Sequence, residues 1–152
     1  MRKRLTMRHT AAMLLCLAAI LSNGCSKAPI NSTIEGLWRL EYFITKEDNA
    51  RHDCKRLFYG ITRYVVEVSE KQGTHGYGAF IGRFEYRNDE TQVVMKEFKQ
   101  RYSTGDNGID ATPEQLMPFG INATHTVFDV VEAKGKKLVL ESNYATLTFS
   151  KF

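Results

Sequence analysis

Apolar and polar residues alternate along residues 34–45, IEGLWRLEYFIT. Ile34, Gly36, Trp38, Leu40 and Tyr42 share one parity, and Glu35, Leu37, Arg39, Glu41 and Phe43 share the other. A period of two is that of a strand with one face buried. After a charged connection at 46–55, residues 57–68 read as a second strand. Phe58, Gly60, Thr62, Tyr64, Val66 and Val68 form one of its faces, and Leu57, Tyr59, Ile61, Arg63, Val65 and Glu67 the other. Both faces are partly apolar, which predicts cover on both sides. A turn cluster at 69–76 leads into 77–87, where Phe80, Gly82, Phe84 and Tyr86 oppose Ala79, Ile81, Arg83, Glu85 and Arg87. A polar hairpin turn at 87–91 opens 92–102, a strand of mixed pattern, and 103–120 is one long connection. Within it Thr112-Pro113-Glu114-Gln115 supplies an N-cap threonine, a proline at the first helical position and a glutamine that completes a capping box. Pro118 disfavours a helical Met117, so about one turn is predicted, carrying Leu116, Met117 and Phe119 on a short flap over the barrel mouth or plugged into its end. Strands at 124–132, 137–141 and 144–152, with a turn at 133–136, complete the chain. Seven or eight evenly spaced strands with almost no helix predict an all-β fold. Sequential hairpins favour an up-and-down antiparallel barrel of about eight strands over a sandwich, because closure leaves no exposed edge.

The first 24 residues stand apart from that domain. Arg2, Lys3, Arg4 and Arg8 precede an apolar run at 11–21 that is too short to span a bilayer, and Ser22-Asn23-Gly24-Cys25 follows. This is the pattern of a secretory signal-peptide helix. The junction resembles the bacterial lipobox, with Ser22 where leucine is usual, and implies acylation of Cys25, palmitate included. The predicted organisation is a signal peptide at 1–24, a lipidated cysteine and polar tether at 25–33, and the barrel domain at 34–152. Acyl chains at Cys25 would hold the domain on a membrane, each buried methylene contributing about 0.8 kcal/mol. Ser26 resembles the residue that follows the cysteine in proteins sorted to the outer membrane, so a lipid-anchored place in the bacterial cell envelope is expected.

Removing the leader changes the charge. The whole chain has 21 Lys and Arg against 17 Asp and Glu, and four of the basic residues lie in the leader, which leaves 17 against 17. A neutral domain lacks the electrostatic footprint of nucleic-acid binding. Of three cysteines, Cys16 leaves with the leader and Cys25 would carry lipid, so Cys54 has no partner for a disulfide within the domain.

Gly36-Leu37-Trp38 at the head of the first strand, with the ending Leu147-Thr148-Phe149-Ser150-Lys151-Phe152, resembles the bacterial lipocalin-like lipoproteins. The resemblance implies a small calycin-type barrel that binds a small hydrophobic molecule. It also implies a cation packed over Trp38, and the only basic residue in the last strand is Lys151, where the family more often has arginine. The candidate lining is Trp38, Tyr64, Phe80, Phe84 and Tyr86, with Met117 and Phe119 at the mouth. Nine Phe and seven Tyr serve equally as packed core or as the wall of a ligand site. A barrel filled by its own side chains would instead present its outer surface to an envelope protein or glycan.

Catalytic chemistry has little to draw on. His52-Asp53-Cys54 cannot converge on one point of an extended chain, since neighbours face opposite sides. Asp106-Asn107-Gly108-Ile109-Asp110 has the composition of a calcium loop without the EF-hand spacing. The expectation is a protein that is no enzyme, with no metal and no cofactor.

Overall fold

The computed structural model describes residues 31–152; the leader, Cys25 and most of the tether lie outside the described residues. Eight antiparallel strands close into a barrel: β1 (Gly36–Thr45), β3 (Leu57–Ile61), β4 (Val65–Glu70), β5 (Ala79–Arg87), β6 (Gln92–Tyr102), β8 (His125–Lys134), β9 (Lys137–Glu141) and β10 (Ala145–Lys151). The order around the wall is β1-β3-β4-β5-β6-β8-β9-β10, and β10 pairs back with β1 from Trp38↔Lys151 to Thr45↔Ala145. Two short strands extend the sheet, β2 (Arg51–Asp53) against the second half of β1 and β7 (Gly105–Asp110) against the second half of β6.

Both splits arise at one end of the barrel. β1 pairs with β3 only over Gly36–Arg39 and then passes to β2, while β6 pairs with β8 over Gln92–Lys96 and then passes to β7. The wall therefore opens between β6 and β8, and the chain enters that gap. Thr112 caps helix α1 (Pro113–Leu116): its hydroxyl accepts from Gln115 N–H, and the Gln115 side chain accepts from Thr112 N–H. A 3-10 turn (Met117–Phe119) follows and ends at Gly120, whose φ of +79° is the left-handed conformation that glycine adopts without strain. A Cβ on Gly120 would lie 3.1 Å from Leu147 Cγ and 3.2 Å from Phe43 Cγ, so the backbone itself rests on the core. The connection that the pattern reads as one loop is thus a β hairpin followed by a capped turn.

Three irregularities explain where alternation misleads. The register of β1 against β10 slips between Leu40 and Tyr42, so Trp38 and Leu40 face inward, Tyr42 faces outward and Phe43 faces inward again. Glu97 in β6 adopts φ +54°, a bulge that brings Phe98 inward beside Met95 and Val93. Gly82 lies opposite that bulge, and a Cβ there would meet Phe98 Cδ1 at 2.8 Å and the Lys96 carbonyl at 2.9 Å. The largest correction falls at residues 57–68, which form two strands joined by a tight turn rather than one. Thr62 N–H donates to Val65 O (2.9 Å), which places residues 62–64 in the turn.

Candidate functional site

The barrel interior is the first place to look for a site, and its own side chains occupy it. Trp38, Leu40, Tyr59, Val66, Val68, Val93, Met95, Phe128, Leu138, Leu140 and Leu147 point inward from seven of the eight strands with 0% exposure. A void wide enough for a ligand would leave such walls accessible. Ring contacts cross the interior: Tyr59 meets Phe149 edge to face at 4.9 Å, and Phe80 meets Phe119 at 6.1 Å. The Tyr59 hydroxyl, buried among these side chains, donates to Phe119 O (2.6 Å), so burial costs it no hydrogen bond.

Each end is closed by a short segment. At one end residues 31–35 turn back, with Glu35 N–H donating to Asn31 O (2.8 Å), and Ile34 fills the opening. Trp38 Nε1–H donates to Ile34 O (2.7 Å), which ties this turn to the floor of the barrel. Gly36 has φ +145°, and a Cβ on it would sit 3.2 Å from Lys151 Cε. That bare position lets the Lys151 ammonium lie 5.0 Å from the Trp38 ring centroid while donating to Ser32 O (3.2 Å). Asn31 Nδ2–H donates to Glu90 Oε2 (2.7 Å), and the Tyr86 hydroxyl donates to Glu35 Oε1 (3.2 Å). Burial, and then the Glu35 carboxylate, push the Tyr86 phenol well above its ordinary value.

At the other end Leu116, Phe119 and Ile121 seal the mouth with 0% exposure. The β4–β5 loop lies over them, its Tyr77 ring 6.4 Å from Phe119 and stacked on His75 at 4.8 Å. The Glu70 carboxylate organises this loop, accepting from His75 N–H (3.1 Å), His75 Nδ1 (2.7 Å) and Tyr77 N–H (3.0 Å) with only 4% side-chain exposure. Burial alone would raise its pKa, but the His75 and Tyr77 hydrogen bonds outweigh that and bring it to about 2.

The sequence-predicted residues divide accordingly. Trp38, Phe80, Phe84 and Phe119 all belong to one buried core, and Tyr86 is half-buried at the end closed by Ile34. Met117 sits on the rim of the plugged end, 44% exposed. Tyr64 is not a lining residue: the turn at 62–64 carries it outside the barrel, 65% exposed. Tyr59 takes the inward place instead. It is legible in the Leu57, Tyr59, Ile61 parity, which the unbroken 57–68 reading set against an equally apolar alternative.

Among the described residues, two of the open concavities lie outside the lumen. One, of about 350 Å³, follows the gap between β6 and β8 and is lined by Lys96, Lys99, Asp110, Ala111, Thr124 and His125. Its charges are internally matched, Lys99 to Asp110 (2.7 Å) and Lys96 to Glu85 (2.6 Å). The other, of about 400 Å³, is an apolar groove on the outer wall over Leu37, Gly60, Val65 and Ile81. Cys54 touches neither concavity, and its thiol is pushed up to about 12 by burial and then by Asp53 and Glu41, so it stays protonated at neutral pH. No group of three or more His, Cys, Asp or Glu able to hold a metal occurs among the described residues. Asp106 and Asp110 are engaged within β7, accepting from Gly108 N–H (2.8 Å) and Lys99 Nζ (2.7 Å).

A Gly-x-Trp corner under a C-terminal cation, in an eight-stranded antiparallel barrel, agrees with the family comparison, in which the lipocalin-like domain matches residues 17–152. The chain belongs to the lipocalin-like domain family. Solved structures agree in fold. A lipocalin-like protein from Bacteroides uniformis superposes with a TM-score of 0.57 at 17% identity, over 79% of this chain and 99% of that one. An uncharacterized protein from Bacteroides eggerthii gives 0.58 at 19% identity, over 78% and 98%. No curated protein matches the chain. This lipocalin-like barrel is a module of the ligand-binding type, with a lumen closed at both ends by its own turns.

Proposed function

We propose that this lipocalin-like protein is a lipoprotein, anchored through Cys25 to the bacterial cell envelope, that engages an envelope protein or glycan with the outside of a filled barrel. The observation that carries this reading is the complete burial of the inward side chains from Trp38 to Leu147, which leaves the outer wall and rims for recognition. The protonated Cys54 thiol and the matched charges beside His125 favour a binding role over catalysis. Anchoring rests on the leader pattern ending at Cys25. Two measurements test the reading. Cys25→Ala is expected to release the protein from membranes, and a variant that stays membrane-bound refutes the anchor. Organic extraction of purified protein followed by mass spectrometry is expected to recover no stoichiometric small molecule, while the covalently attached acyl chains stay with the protein.

A second reading keeps the small hydrophobic ligand inside the barrel. It is favoured by the position of the plug, which is a single capped turn seated in the gap between β6 and β8. Withdrawal of Leu116, Phe119 and Ile121 would uncover an aromatic wall suited to a flat apolar molecule. Recovery of one such molecule per chain would make the protein a carrier and displace the first reading.

A further inference from the structure

The anchor limits where the barrel can go. Residues 26–30 separate Cys25 from Asn31, and a chain extends by at most about 3.6 Å per residue, so Asn31 stays within roughly 20 Å of the lipidated cysteine. Asn31 belongs to the turn that closes one end of the barrel, which fixes the end that faces the bilayer.

That end carries an apolar and basic surface unlike a solvated rim. The β3–β4 turn projects Tyr64, 65% exposed, with the Arg63 guanidinium 5.2 Å from its ring centroid. Phe152, 75% exposed, is held on the outer wall: its N–H donates to Leu37 O (2.9 Å) and its ring meets Phe58 edge to face at 5.2 Å. Leu37 and Val65 continue the apolar surface into the outer groove, whose floor is open because Gly60 has no side chain. The β8–β9 turn lies alongside, joined by Lys151 N–H donating to Lys136 O (2.9 Å). Arg63, Lys134 and Lys136 form no ion pair among the described residues, whereas Lys137 is matched by Glu132 (2.7 Å). Aromatic rings beside unmatched cations suit the headgroup level of a membrane, where rings enter the interface and cations meet anionic lipid.

We infer that this end of the barrel docks on the bilayer that holds the anchor, with Tyr64, Val65, Leu37 and Phe152 at headgroup depth and Arg63 and Lys136 against anionic lipid. The inference rests on lipidation of Cys25. It sets the orientation of the molecule: the plugged mouth, with Met117 and Tyr77, points away from the membrane.

The test uses the full lipidated protein reconstituted into phosphatidylethanolamine–phosphatidylglycerol vesicles with brominated acyl chains. Tyr64→Trp and Phe152→Trp place reporters on the proposed surface, and Tyr102→Trp places one at the opposite end, where Tyr102 is similarly exposed at 67%. All three keep the buried Trp38 as a shared background. Quenching of the first two at least twofold above that of Tyr102→Trp is expected, falling when Arg63→Glu and Lys136→Glu are added or when phosphatidylcholine replaces the anionic lipid. Equal quenching at all three positions, in protein that floats with the vesicles, overturns the docking and leaves the anchor standing. Protein that does not float with the vesicles overturns both.

Discussion

Phe119→Ala tests whether the lipocalin-like barrel is solid because its plug is part of the core. Phe119 is fully buried, packs against Phe80 at 6.1 Å and lies under Tyr77 at 6.4 Å. Its carbonyl accepts the Tyr59 hydroxyl, a bond to the backbone that the substitution leaves in place. The loss is therefore the transfer of a phenyl group plus the cavity it vacates, about 3–5 kcal/mol for a phenylalanine that neighbours cannot replace. Relaxation is restricted here, because Gly120 already rests on Leu147 and Phe43 and prevents the turn from sinking inward. At about 3–5 °C per kcal/mol for a domain of this size, the melting temperature should fall by roughly 10–25 °C. Urea unfolding measures the free energy directly, with an unchanged m value showing that the variant still folds to a comparably compact state. The same variant should gain affinity for a small aromatic probe such as benzene, as apolar cavities of about 150 Å³ do. A loss below about 1 kcal/mol with no probe binding would show that the plug lies loosely over the mouth, and the filled-barrel reading would fall with it.

Three further outcomes follow from the geometry. Gly82→Ala should cost about 1–3 kcal/mol in urea unfolding, because its methyl would press on the Phe98 ring and on the Lys96 carbonyl, and the latter cannot swing away. Glu70 has its folded pKa depressed from 4.5 to about 2, so its contribution is present above about pH 4.5 and is lost as pH falls toward 2; Glu70→Gln should flatten the urea midpoint over that window. Cys54, with its thiol near 12, should resist iodoacetamide at pH 8 in the native protein and react fully in denaturant.

Much of the fold was legible because closure makes side-chain parity a reading of inside and outside. Residues 79–87 show it best: Phe80, Gly82 and Phe84 are buried as their alternation predicts. The capped turn was also legible, since Thr112, Pro113 and Gln115 act locally and their hydrogen bonds form as the residue types dictate. Parity fails wherever the chain adds or removes one residue. At Glu41 and Glu97 a bulge reverses the faces, and neither glutamate carries a turn signal, because the φ of +54° at Glu97 is imposed by the pairing of Phe98 over Gly82. Between Ile61 and Val65 the turn has no glycine, proline or asparagine, so apolar neighbours on both sides hide it and alternation alone puts Tyr64 on the lumen face.

The same reasoning explains why the lumen's contents were harder to read than its wall. Pattern tells which residues face inward, but whether inward rings leave room depends on their summed volume against the circumference, and on segments that enter from outside the strand pattern. Ile34 closes one end from before the first strand, and Leu116, Phe119 and Ile121 close the other from a connection between strands. None of these four belongs to a strand of the wall, yet together they seal both mouths of the barrel. Trp38 shows how closely wall and closure depend on each other: its ring is covered by Lys151, its N–H holds the Ile34 carbonyl, and the bare Gly36 makes room for both. The Gly-x-Trp pair is therefore a seal, and lipid or protein specificity has to be sought on the surfaces that the seal leaves outside.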